Sequence, residues 1–298
     1  MLWIDIFKSA VEFGEKSDLR NKFNSQIQNK LKKFSYPDSL IINGYDKKEI
    51  KNLFVSVDVG ISEVLLVNEL VKSGLGIDGI LSHHPVGRGY YMIPGVIDIQ
   101  RDNWIKSGVS TEIAEKLYSK LLWEESVEVR GNQLGTENAS RLLNMPLMCI
   151  HTPIDNIIQN FFEDIFIYKN NILLDEAMEI VNQIPECRQA SENGDNPFMI
   201  NEDKNNVKIG KFLVDMTGGV DPPDEIFFYL KKAGVNTVIG MHYNLDNIKS
   251  MIKNRLCAII CGHMACDSIG LNIFCDFLES KGINIISGSG FYRYKRNG

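Results

Sequence analysis

The chain of 298 residues has no run of about 18 apolar residues, so no segment reads as a membrane-spanning helix. Its six cysteines (149, 187, 257, 261, 266 and 275) include no C-x2-C pair, and neither a zinc knot nor a secreted disulfide framework is expected. They read instead as reduced, mostly buried thiols of a cytoplasmic protein. The N-terminus starts apolar but carries Asp5 and Lys8 and lacks a small-residue cleavage site. It therefore reads as an amphipathic helix and not a signal peptide. An excess of positive charge is also missing. Lys plus Arg total 32 against 38 Asp plus Glu, net −6, which argues against a nucleic-acid partner. No G-x4-G-K-[ST] motif occurs, so a nucleotide would have no P-loop to hold its phosphates.

What is present is an alternation. Short β-branched runs at Leu53–Val59, Ile77–Ser82, Leu147–Ile150, Lys211–Met216, Val235–Ile239 and Leu256–Cys261 are bounded by turn residues. Between them lie helical patterns such as Glu63–Ser73, Thr111–Leu122, Asp224–Ala233 and Ile269–Ser280. This is an α/β pattern with largely parallel strands, in which ligands collect beyond the strands' carboxyl ends. Residues 54–85 and 212–244 share one plan: strand, Asp (58 or 215), glycine turn, amphipathic helix, strand, His. A further strand follows each copy and carries Cys-Ile-His or Cys-Gly-His. Two duplicated α/β lobes are expected: 1–185 with the N-terminal helix, and 209–298. The polar stretch 186–208 would join them as a linker or hairpin. Gly87-Arg88-Gly89 reads as the start of a mobile loop.

Four of the five histidines fall into two kinds of motif just after apolar runs. His83 and His84 precede Pro85, which restricts the residue before it to extended geometry. His151 with Asp155, and His263 with Asp267, each form H-x3-D. On a helix, positions i and i+4 share one face and offer one nitrogen and one oxygen donor to the same cation. Imidazole and carboxylate donors suit Zn, Mn or Fe(II). Six candidate ligands exceed the needs of one catalytic zinc, so two divalent ions sharing a bridging carboxylate fit the count better. Asp267 is the expected bridge, with His83, His84, Asp155 and His263 as the other ligands.

The ordered set of Ser82-His83-His84-Pro85, the upstream Asp58, the central H-x3-D and the C-terminal Gly262-His263-x3-acid resembles the Nif-three-like family. Its members are called GTP cyclohydrolase I type 2 homologues. The resemblance spans roughly residues 50–155 and 210–290. It implies two intertwined, duplicated α/β lobes with mixed sheets, a dinuclear metal site between them, and self-association into a toroidal hexamer. By motif position His83, His84, Asp155, His263 and Asp267 match the family's metal ligands. Family members usually carry Glu where this chain has Asp267, which shortens the bridge by one methylene.

Two functions remain open. One is a metal-dependent hydrolase of a small cyclic or phosphorylated substrate, with a purine nucleotide such as GTP as the family-implied guess. In it His151 would act as a general acid or base and Asp58 would orient a ligand histidine. The other is a non-catalytic metal-binding scaffold or interaction protein. Arg88 and the basic residues Arg293, Lys295 and Arg296 are the available phosphate-binding cations, and His242 reads as a pocket or core histidine.

Overall fold

The strongest apolar runs become the middle of two sheets. The computed structural model describes residues 1–24, 35–201 and 206–296. Its strands are β1 (Leu40–Asn43), β2 (Asn52–Ser56), β3 (Gly79–Ser82), β4 (Leu147–Cys149), β5 (Phe198–Ile200), β6 (Phe212–Asp215), β7 (Thr237–Gly240), β8 (Cys257–Ile260) and β9 (Asn284–Ser287). The first sheet runs β1-β4-β3-β2-β9 and the second β5-β8-β7-β6. Each has a parallel trio, β4-β3-β2 or β8-β7-β6, and an antiparallel edge, β1 or β5. The chain is thus a mixed α/β protein with two mixed sheets that share a strand order.

Alternation along the strands sorts side chains between layers. Leu53, Val55, Leu81 and Met148 of the first sheet, and Val214, Ile239 and Ile259 of the second, face one shared core. That core is filled by the helices Trp3–Ser17, Thr152–Phe166 and His263–Ser280, with Trp3, Phe162, Phe166 and Phe274 fully buried. The intervening residues face outward, Phe54, Ile80 and Leu147 against the helix Ile61–Lys72. Leu213, Val238 and Ala258 do the same against helices that include Asp98–Lys106 and Thr111–Glu128. Gly270 lies where the helices His263–Ser280 and Thr152–Phe166 cross. A Cβ there would stand 2.7 Å from both Ile154 and Ile158.

Elements are exchanged between the two halves of the sequence. Strand β9 completes the first sheet beside β2, and the helices of residues 98–128 cover the second. The stretch 186–208 departs from the expected linker. It opens inside the helix Pro185–Glu192, started by proline at the first helical position, and then supplies β5. Cys187 and Ala190 anchor that helix in the core, and residues 202–205 lie outside the described residues. The expected mobile loop after Gly87 is likewise a 3-10 helix, Gly87–Gly95, leading into Asp98–Lys106. Buried Ile93, Ile97 and Trp104 fix it, and Arg88 pairs with Glu137 at 2.5 Å. All six cysteines are free and buried. Burial pushes the Cys149 thiol up to about 11. Among the described residues no helix is long and apolar enough to cross a membrane.

Candidate metal centre

Every functional side chain sits just beyond a strand's carboxyl end. The amides of His83 and His84 continue the ladder of β2, donating to Ser56 O and Val57 O at 2.9 and 3.0 Å. His151 is the N-cap of the helix Thr152–Phe166, which places Asp155 in its first turn. His263 begins the helix His263–Ser280, and Asp267 follows one turn on. The close helix crossing at Gly270 brings the two aspartates to one place.

The structure gathers His83, His84, His151, Asp155, His263 and Asp267 into one cluster. His83 Nε2 lies 3.3 Å from Asp155 Oδ1 and 3.5 Å from Asp267 Oδ1. Asp267 Oδ2 lies 3.3 Å from both His84 Nε2 and His263 Nε2, and those two nitrogens are 3.2 Å apart. His151 Nε2 is 3.5 Å from Asp155 Oδ2. His83, His84 and Asp267 form one group able to hold a metal ion, and His83, His151 and Asp155 another.

The far side of three rings fixes their tautomers. His83 Nδ1 donates to Ile150 O at 3.1 Å, His84 Nδ1 to Asp58 Oδ1 at 2.7 Å and His151 Nδ1 to Asp38 Oδ2 at 2.8 Å. Each acceptor can only receive a proton, so the opposite Nε2 of a neutral ring presents a lone pair. These lone pairs converge on carboxylates, an arrangement that repels itself unless a cation or extra protons fill the gap. His83 Nε2 and both carboxylate oxygens of Asp267 are buried without any hydrogen-bond partner. The donor set therefore fits a divalent metal ion.

The charges of the cluster move its members in opposite directions. Burial lowers the His84 pKa, but Asp267 and Asp58 outweigh it and lift the ring to about 9. Burial raises Asp267, yet His83, His84 and His263 hold it far below the usual carboxylate range. Burial keeps His263 below its ordinary value, and the bond from His84 lowers Asp58.

The cluster forms one end of a cavity of about 1210 Å³ that the second sheet's carboxyl ends also line. His242 is half exposed there, its ring 4.5 Å from that of His263. Asp215 accepts from Tyr243 Oη at 2.9 Å and is raised by burial to about 6. The basic residues considered for phosphate are engaged elsewhere. Arg293 pairs with Asp276 and Glu279, Arg296 with Glu186, and Lys295 with Glu279. Asp38 was not singled out by the sequence. It is fully buried and accepts from His151, from Thr152 Oγ1 at 2.6 Å and from the Thr152 amide. Gly219, at φ +72°, packs its backbone on His151, where a Cβ would stand 2.8 Å from Cε1.

No family model matches the chain, and no curated protein matches it. Solved structures do. A NIF3 superfamily protein from Sphaerobacter thermophilus is 21% identical, with a TM-score of 0.76 over 95% of this chain and 98% of that one. Reduced HcgD from Methanocaldococcus jannaschii is 15% identical, with a TM-score of 0.55 over 94% and 96%. At these identities the likeness is one of architecture, and the chain has the fold of NIF3 superfamily proteins.

Proposed function

We propose that the chain is a dinuclear metal-dependent hydrolase of a small molecule. The observation that carries this reading is Asp267. Its two oxygens face different imidazoles, Oδ1 toward His83 and Oδ2 toward His84 and His263, and neither has a hydrogen-bond partner. One ion would be held by His83, His151, Asp155 and Asp267, the other by His84, His263 and Asp267. The donors suit Zn, Mn or Fe(II). Two such ions supply Lewis acidity toward a carbonyl, amidine or phosphoryl group and ease the deprotonation of water.

The protein's own part is positioning. Asp58 holds His84 by its Nδ1–H, and Asp38 does the same for His151. His151 was expected to move protons. Its burial and its Nε2 toward Asp155 favour a ligand role beside His83 instead. The shared strand order of the two sheets supports duplication, and the free buried thiols suit the cytoplasm. Ile61, Leu65 and Leu66 leave about half their surfaces exposed on one helix, which supports self-association, with the hexameric ring as the implied form.

Metal content by plasma mass spectrometry, with turnover assayed on cyclic amidines, lactams and phosphoesters, tests the reading. The expected result is two metal equivalents per chain and turnover abolished by chelator and by His84→Ala. Full metal loading with no turnover across the panel favours the scaffold reading. Light scattering of Leu65→Asp is expected to show a smaller assembly than the parent.

A further inference from the structure

Away from the imidazoles, the cavity is walled by acceptors. Leaving aside Asp58, Asp155 and Asp267 of the imidazole cluster, seven carboxylate side chains line it among the described residues, against two lysines and no arginine. Both lysines are already paired, Lys120 with Glu225 at 2.6 Å and Lys249 with Asp246 at 3.0 Å. Two buried amides add to the imbalance. Gln100 and Asn247, 2% and 1% exposed, line the same cavity. Their nitrogens donate to the carbonyls of Val220 and Pro222, which fixes which way each amide faces. Gln100 Oε1 and Asn247 Oδ1 are then left without a hydrogen-bond partner. Unmet buried acceptors are costly and rare, and here they belong to residues that line the same cavity as the carboxylates.

The acidic wall is continuous with the metal cluster through His242. Its Nδ1 lies 3.6 Å from Asp221 Oδ1 while its ring lies 4.5 Å from that of His263, tilted by 36°. The cavity that Asp221 lines is also lined by the helix Thr111–Glu128, whose Glu125 is crowded by burial and by Glu128, Glu124 and Asp221. That crowding raises Glu125 to about 7. A polyanion entering here meets like charge and no unpaired cation beyond the metal site itself. A donor-rich cation meets partners on every side.

We propose that the ligand of this cavity carries a cationic, N–H-rich group, an ammonium, guanidinium or amidinium, held by Glu125 and Asp221 while its other end reaches the metal cluster. The nucleoside triphosphate implied by the family resemblance does not fit this wall. Calling the ligand a substrate rests on the hydrolase reading; the charge preference itself does not.

Calorimetry on the full-length metal-loaded protein, with agmatine and with inorganic pyrophosphate as probes, tests the proposal. Agmatine should bind, more weakly as NaCl is raised, and a Glu125→Gln/Asp221→Asn double variant should weaken it by about tenfold or more. Metal content should stay unchanged, and pyrophosphate should bind no worse to the variant than to the parent. Pyrophosphate binding more tightly than agmatine to the parent overturns the proposal. So does agmatine binding that is insensitive to both salt and the variant. If the variant instead loses a weakly held third manganese equivalent while agmatine is unaffected, the wall handles metal ions and the proposal is wrong. Agmatine binding that falls in the variant, when the metal-loaded parent turns over nothing on the hydrolase panel, upholds the charge preference while sinking the hydrolase reading.

Discussion

The two sheets present rims of the same design and opposite character. Beyond β2 of the first sheet, Asp58 is largely exposed, bonded to His84 and lowered by that bond. At the end of β6 in the second, Asp215 is bonded to Tyr243 and raised to about 6 by burial. The first rim supplies His83, His84 and His151, and the second supplies His263, with the half-exposed His242 and a set of carboxylates beside it. One framework thus carries a histidine-rich rim and a carboxylate-rich rim that meet at the cluster able to hold a metal ion. The difference lies in side chains that do not disturb the strands beneath them.

The most drastic way to break this contrast is Asp267→Asn. It removes the one carboxylate that faces three imidazoles, and metal content should fall below one equivalent, with turnover down on the order of a thousandfold. Gly270→Ala should come next. The added methyl meets Ile154 and Ile158, so denaturant titration should show a loss of about 1–3 kcal/mol together with weakened metal binding. Asp38→Ala and Asp58→Asn should each lower metal affinity by about 10–100-fold in competition with a chelator. Asp215→Asn should leave metal affinity alone, which sharpens the comparison directly. Its effect belongs to stability. The folded-state pKa of Asp215 lies above the ordinary value of 3.8, so its contribution is present below that value and lost as pH rises through about 6. The variant should match the parent near pH 3 and melt higher than the parent above pH 7. A difference that shrinks with rising pH contradicts this assignment.

Much of this was legible in the residues. The parallel trios are β-branched runs buried on both faces, and such runs announce themselves. Both H-x3-D motifs begin helices, and Thr152-Pro153 supplies the expected opening for one of them. Edge strands β1, β5 and β9 leave little trace in the sequence, because they are three or four residues long and partly exposed, with little periodicity. Asp38 sits in a Pro-Asp-Ser turn whose sequence looks like any other turn. Glu124, Glu125 and Glu128 resemble the solvated face of a helix, and only packing turns them toward the cavity. The stretch opening at Gly87 reads as a loop because Gly and Pro dominate its start, yet buried Ile97, Ile99 and Trp104 hold its second half as a helix.

Strand β9 joins the first sheet only after nearly every other element has been made. During synthesis the nascent chain exposes His83 and His84 long before His263 and Asp267 leave the ribosome. An early intermediate holds only a fragment of the donor set. Any tight capture of metal would therefore wait for the helix His263–Ser280, and a chain stalled before it would be poorly equipped to sequester ions.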